Sequence, residues 1–224
     1  MTDSEGSPGA SANRTRRRAL RTRRRLLQAA LSVFSEKGID AATIEEITER
    51  ADLGKGTLYR HFSTKDRLVT ALAAEAVDRL ALGFSIGSPA PSSLEAGLRR
   101  IVRAHVAFFR QNRSEFLLLF QSRLFIDASR DGAPEIERPL SRYIDAVERE
   151  AASFLPRPVG REKVRRLALA VAGFTSGVLS FASIGMDPGE IEDSLDSFLE
   201  AFVAEAVRLL TSEQSHVPAG GAAL

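Results

Sequence analysis

The stretch Thr43 to Phe62, TIEEITERADLGKGTLYRHF, constrains this chain more than any other. Ile44, Ile47 and Ala51 fall at helical spacing, Thr43 stands where an N-cap belongs, and Glu46 follows three residues later, which is capping-box form. Asp52, Leu53 and Gly54 interrupt the pattern with a polar residue, an apolar anchor and a glycine that can take a positive φ, so the chain is expected to turn there. Lys55 to Phe62 then resumes a helical period too short to hold alone. It keeps Leu58 and Phe62 on one side and turns Lys55, Thr57, Tyr59, Arg60 and His61 to other faces. Two short helices joined by a tight turn form a helix-turn-helix.

The second helix carries the chemistry of a groove reader. Gly56 permits close backbone approach, Thr57 and Tyr59 each bring a hydroxyl, and Lys55, Arg60, His61 and Lys65 supply donors for phosphates and base edges. Its N-terminal end is expected in the major groove. Phe34 with Gly38, then Thr43, Ile47, the run Gly56-Thr57-Leu58-Tyr59 with His61-Phe62, and Lys65 resemble the DNA-binding head of the tetracycline-repressor (TetR) family over about residues 20 to 80.

That resemblance implies phosphate contacts from Thr57, Tyr59, His61 and Lys65, with Tyr59 also able to touch a base. Lys55 and Gly56 would face base edges, and Thr43, Glu45 and Arg60 belong to the same interface. Glu45 is a departure, because it stands where a basic residue of the founding repressor reads a base. A carboxylate there can accept from a cytosine amino group or point to solvent, so the operator sequence does not carry over.

Around this motif the chain reads as helices. Leu26, Leu27, Ala30, Leu31 and Phe34 mark one face of a scaffold helix from about Thr22 to Lys37, stopped by Gly38. Ser63 to Asp66 caps a helix carrying Leu68, Val69, Leu72, Ala76 and Leu80 to about Leu82, which leads out of the head as a rigid lever. Gly83 to Ser93, with Pro89 and Pro91, is the first clear break.

Beyond it, helical period continues through Leu94 to Asn112, Ser114 to Ser129, Glu135 to Phe154, Arg161 to Ile184 and Gly189 to Leu210. The second of these is apolar nearly all round and belongs in the middle of a bundle. No run alternates with the period of a strand. The fold class is therefore all-α: a three-helix head at 20–80 with its motif at 43–62, and a helical-bundle body for ligand and dimerisation at 81–212. An Arg-rich arm at 1–19 and a tail at 213–224 are expected to be disordered.

Charge divides along the same line. Through Lys65 there are 13 Lys and Arg against 8 Asp and Glu, whereas residues 66–224 hold 18 against 21. A basic head on a mildly acidic body suits a DNA-binding module attached to something else. Arg14 to Arg25 contains eight arginines and no acid, so self-repulsion is expected to keep its first part extended until phosphates neutralise it. The simpler alternative is a solvated basic tail.

Several chemistries are excluded. The chain has no cysteine, which removes structural disulfides, thiol catalysis and cysteine-bound zinc. His61, His105 and His216 lack companions at metal-ligand spacing, and no nucleophile elbow, phosphate loop or dinucleotide fingerprint is present, so neither an enzyme nor a cofactor is expected. Met1 to Asn13 has no apolar core of the signal-peptide kind, and no stretch reads as a membrane span, so a cytoplasmic location is expected.

The thirteen phenylalanines concentrate in the body. His105, Phe108, Phe109, Phe116, Phe120, Phe125, Tyr143 and Phe174 are candidates to line a pocket for a largely apolar effector, as the resemblance implies; filling an ordinary core is the alternative, and for His105 a hydrogen-bonded core role. The resemblance also implies a homodimer through the last two long helices. The apolar stripes there, with Phe174, Val178, Phe181, Leu195, Phe198 and Phe202, are wider than one neighbour requires.

Two such heads would address a palindromic double-stranded operator. The function expected is a regulator of transcription, a repressor released from its operator by a small molecule. A DNA-coating or architectural helical protein that senses nothing is one alternative, and a lipid- or acyl-carrier-binding protein with a vestigial head is another.

Overall fold

A computed structural model describes residues 8–85, 91–121, 137–154, 160–185 and 197–208, and every regular element among them is helical. These are α1 (Pro8–Ala41), α2 (Ile44–Arg50), α3 (Lys55–His61), α4 (Lys65–Ser85), α5 (Leu94–Gln111), α6 (Arg113–Gln121), α7 (Glu137–Ala152) and α8 (Arg161–Gly185). A last helical stretch, α9, spans 197–208. Phe125, Leu195 and the C-terminal tail lie outside the described residues.

The head forms as its local signals dictate. Both halves of the capping box are present: the Glu46 amide donates to Thr43 Oγ1 at 3.3 Å and the Thr43 amide to Glu46 Oε2 at 3.0 Å. Gly38 interrupts α1 with φ 83°, a conformation open to glycine. Leu26, Ala30, Val33 and Phe34 of α1 then bury against Ile47, Ala51, Leu58 and Phe62. Removing a side chain as enclosed as Leu58 costs about 2–5 kcal/mol.

Two expectations are corrected here. The positive φ of the reading turn belongs to Asp52 (φ 49°), while Gly54 is extended at φ −76° and serves as the N-cap of α3. Asp52 sits just past the end of α2, with its amide bonded to the Glu49 carbonyl at 2.9 Å and the Leu53 amide to the Thr48 carbonyl at 2.9 Å. This is the Schellman arrangement, and aspartate tolerates the left-handed position better than most side chains. The second correction concerns the arginine run expected to stay extended, which is helical from Pro8. Arginine is a good helix former, and with residues 12–21 all exposed the like charges radiate into solvent.

Head and body share one hydrophobic core. It runs along α4 from Leu68 and Leu72 through Val77 and Leu80 to Phe84, then into Leu98, Ile101, Val102, Tyr143, Val147 and Val171. α4 packs on α1 in the head and on α5, α6 and α7 in the body, with no break at residues 80–81. Ion pairs run beside this seam: Arg23 with Glu75, Arg142 with Asp78, and Arg79 with Glu115 at 2.9 Å. Among the described residues no helix is long and apolar enough to cross a membrane.

Candidate DNA interface

α3 is positioned from beneath by Leu58, which is fully buried, and by Phe62 at its C-cap. What remains outward is the expected set. Lys55, Gly56, Tyr59 and Arg60 are exposed, Thr57 and His61 half-buried. Tyr59 is 52% exposed, unusual for so large an apolar ring and suited to an external partner. A side chain at Gly56 would meet no described residue within 4 Å, and Gly56 itself is exposed.

Three of the expected contact residues are already engaged. Thr43 is exposed but its hydroxyl caps α2. Glu45 pairs with Lys55 across the reading turn, and that hydrogen bond, first among several causes, holds the Glu45 carboxyl below the usual range. Lys65 points inward: its ammonium donates to the carbonyls of Ile39, Asp40 and Ala42 at 2.9, 3.2 and 3.1 Å, so its three hydrogens are directed at the end of α1. In this structure Lys65 fastens α4 to α1 where the sequence suggested a phosphate clamp. Arg60 Nη2 donates to Thr57 Oγ1 at 3.2 Å, one turn back on the same helix.

Two arginines that sequence reading left within the basic run brace the motif. Arg25 donates to the Ala51 carbonyl at 2.6 Å and reaches Asp52 Oδ2 at 3.4 Å, gripping the reading turn from α1. Arg23 lies 5.3 Å from the centre of the Phe62 ring while pairing with Glu75 of α4. Their position immediately before Leu26 and Leu27, on the face that enters the core, was the available signal. Arg14, Arg16, Arg17, Arg18, Arg21 and Arg24 make no ion pair with a described residue.

The body residues sort into separate groups. His105 is fully buried, with Nδ1 2.8 Å from the Ile101 carbonyl and Nε2 2.8 Å from the Tyr143 hydroxyl. A carbonyl only accepts, so Nδ1 carries the hydrogen and Nε2 receives the phenol's. Burial pulls the imidazole down to about 4, hence neutral, and burial also raises the Tyr143 phenol. Phe84 lies 5.4 Å from the His105 ring, and Phe109 meets Phe116 edge-on at 5.1 Å. Phe108 is buried as well.

Phe174 belongs elsewhere, its ring stacked on Phe202 of α9 at 4.2 Å. Val178 is half-buried and Phe198 is 56% exposed. The side chains of Phe120 and Phe181 lie outside the described residues. A cleft of about 340 Å³ lies in the head, lined by Val33, Glu36, Lys37, Glu46, Glu49 and Arg50; its charged wall is unlike the apolar pocket expected in the body. No group of three or more potential metal ligands occurs among the described residues.

Comparison with known proteins agrees with this geometry. Residues 26–72 match the family model of bacterial regulatory proteins, tetR family. The chain is 29% identical over 164 residues to the HTH-type transcriptional activator FasR of Mycolicibacterium smegmatis, covering 72% of each protein. It is 31% identical over 157 residues to the HTH-type transcriptional repressor KstR of the same species, covering 67% of this chain and 69% of that one. Among solved structures it resembles Salmonella enterica GusR with a TM-score of 0.61 and 26% identity, covering 85% of this chain and 96% of the other. With its helix-turn-helix head on an all-helical body, this chain belongs to the tetR family of bacterial regulatory proteins: it is a transcriptional regulator and not an enzyme.

Proposed function

We propose that the chain is a homodimeric repressor that binds a palindromic operator in the cytoplasm and is released by a small, largely apolar effector held in the body. The observation that carries the reading is the continuous core along α4. It joins a head with an exposed reading surface, Gly56 and Tyr59 foremost, to a body rich in buried aromatic groups. An effector that binds one arrangement of the body better than another would shift α4 between Lys65 and Leu82, change the separation of two heads and lower operator affinity.

Support for the dimer lies on α8 and α9. Leu169 and Phe198 are about half exposed, and a side chain at Gly173 or Gly177 would meet no described residue within 4 Å, so the described residues leave this face open to a second helix pair. Isologous pairing of this face presents two α3 helices. Arg14, Arg17, Arg18 and Arg21, on the exposed part of α1, would add phosphate contacts outside the groove.

The reading is tested by selecting duplexes from a random pool with the full chain, then titrating the winner against random DNA. A regulator prefers its site by about 10³-fold or more. Small molecules that raise the melting temperature are then added to the complex. Release supports the mechanism, and tight binding without preference favours the DNA-coating alternative. Because the relatives include both an activator and a repressor, a reporter gene behind the selected site decides the sign of the effect.

A further inference from the structure

The ion pair between Glu45 and Lys55 joins the first turn of α2 to the first residue of α3. Both side chains are more than half exposed, at 59% and 55%. A pair so exposed adds little to folding, so stability does not account for it. Neighbouring charges are otherwise engaged: Glu46 with Lys37 and the Thr43 amide, Arg50 with Glu36. The Glu45–Lys55 pair takes one ammonium hydrogen, and the carboxylate also accepts from its own backbone amide. Each carboxylate oxygen can accept more than once, so accepting positions and two ammonium hydrogens remain on two exposed side chains at the start of α2 and α3.

A carboxylate on a surface that meets DNA is repelled by phosphates and needs an amino donor. In the major groove a G·C pair offers the cytosine N4 amino group beside two adjacent acceptors, guanine O6 and N7. An A·T pair sets its single donor between two separated acceptors and adds a thymine methyl, which would strip water from the charged pair without bonding to it. We propose that Glu45 and Lys55 act as one unit that reads a single G·C base pair in each half-site, the carboxylate accepting from cytosine N4 and the ammonium donating to guanine O6 or N7.

This specificity rests on the chain being a groove-reading regulator. The hydrogen bond from Lys55 holds the Glu45 carboxyl below its usual range, so the group is ionised and a pure acceptor at neutral pH. The pair also fixes which partner each charge takes. Held by Glu45, the Lys55 ammonium is drawn off the phosphates and toward the base edges.

The test is selection from a random duplex pool with the wild-type chain, followed by titration of the selected duplex and its single-pair variants with wild type, Glu45→Gln, Glu45→Ala and Lys55→Ala. Circular dichroism melting confirms that the variants stay folded. One G·C pair per half-site is expected to be required by wild type. Each of the three variants should lose about tenfold or more of the discrimination at that pair, and only there. A fourth variant, carrying Glu45→Ala and Lys55→Ala together, should lose no more than either single variant.

A wild type that selects no duplex overturns both this proposal and the regulator reading beneath it. A selected site with no position sensitive to Glu45 and Lys55, or with an A·T pair there, overturns the proposal alone. So does a Glu45→Ala chain that binds every sequence more tightly with unchanged preference, which would show simple repulsion from phosphate.

Discussion

The Tyr143 hydroxyl donates its hydrogen to Nε2 of His105 at 2.8 Å inside the body, tying α7 to α5. The other imidazole nitrogen is held by the Ile101 carbonyl one turn back, and Thr175 of α8 hydrogen-bonds the same phenol. Every polar atom of the imidazole is thus satisfied without charge, which fits a site with His105 fully enclosed.

Protonation of that imidazole is opposed by burial, with a folded value of about 4 against an ordinary 6.5. Between those values the unfolded chain takes up a proton that the folded one refuses, so the contribution is complete above about pH 6.5 and is lost as pH falls through about 4. It amounts to about 3 kcal/mol. Urea unfolding at fixed protein concentration from pH 8 to 4 reads this slope, and His105→Gln should flatten it. Tyr143→Phe leaves the Nε2 lone pair buried and unmet, for a loss of about 1–3 kcal/mol at neutral pH.

Lys65→Met should act on the fold before it acts on DNA. The substitution keeps much of the stem and removes the donors to Ile39, Asp40 and Ala42, for a loss of about 1–3 kcal/mol. Thermal melting without DNA should already fall. If melting is unchanged while operator affinity drops and its salt dependence weakens, Lys65 is a phosphate contact after all.

Gly173→Leu places a branched side chain where no described residue lies within 4 Å of the added Cβ. Helical content and monomer packing should survive, and sedimentation should show the assembly shifting from dimer to monomer. A dimer of undiminished strength would move the partner surface off this face of α8.

Replacing Arg14, Arg17, Arg18 and Arg21 with glutamine keeps α1 helical and removes four charges. The slope of log affinity against log salt should become shallower by about 0.9 for each phosphate that is no longer neutralised, with site preference retained. An identical slope removes this part of α1 from the mechanism.

The head was legible because its signals are local. A capping box needs two residues three apart, and the apolar faces of α1, α2 and α3 need only their own period. What escaped reading depended on partners distant along the chain. Nothing near Lys65 announces carbonyls 23 to 26 residues earlier, and Arg25 resembles its neighbours until the turn at Ala51 and Asp52 is folded against it. Residue preference alone puts the positive φ at Gly54, whereas the end of α2 requires it two residues sooner, at Asp52. In the arginine run, the repulsion visible in the sequence is outweighed by the continuity of a helix already anchored at Leu26 and Leu27. The core role open to His105 is legible from its apolar face, but its donor, 38 residues away on α7, is beyond periodicity.

With Lys65 fastened to the end of α1, the reading pair cannot give way at the point where α4 enters it. Its 21 residues span about 31 Å at the usual helical rise. A tilt of about 5° about the far end would sweep the near end through about 3 Å, and two opposed heads would alter their spacing by about 5 Å against a DNA repeat of about 34 Å. The bonds that yield under such a swing are those to the duplex, since every internal tie of the head travels along with it.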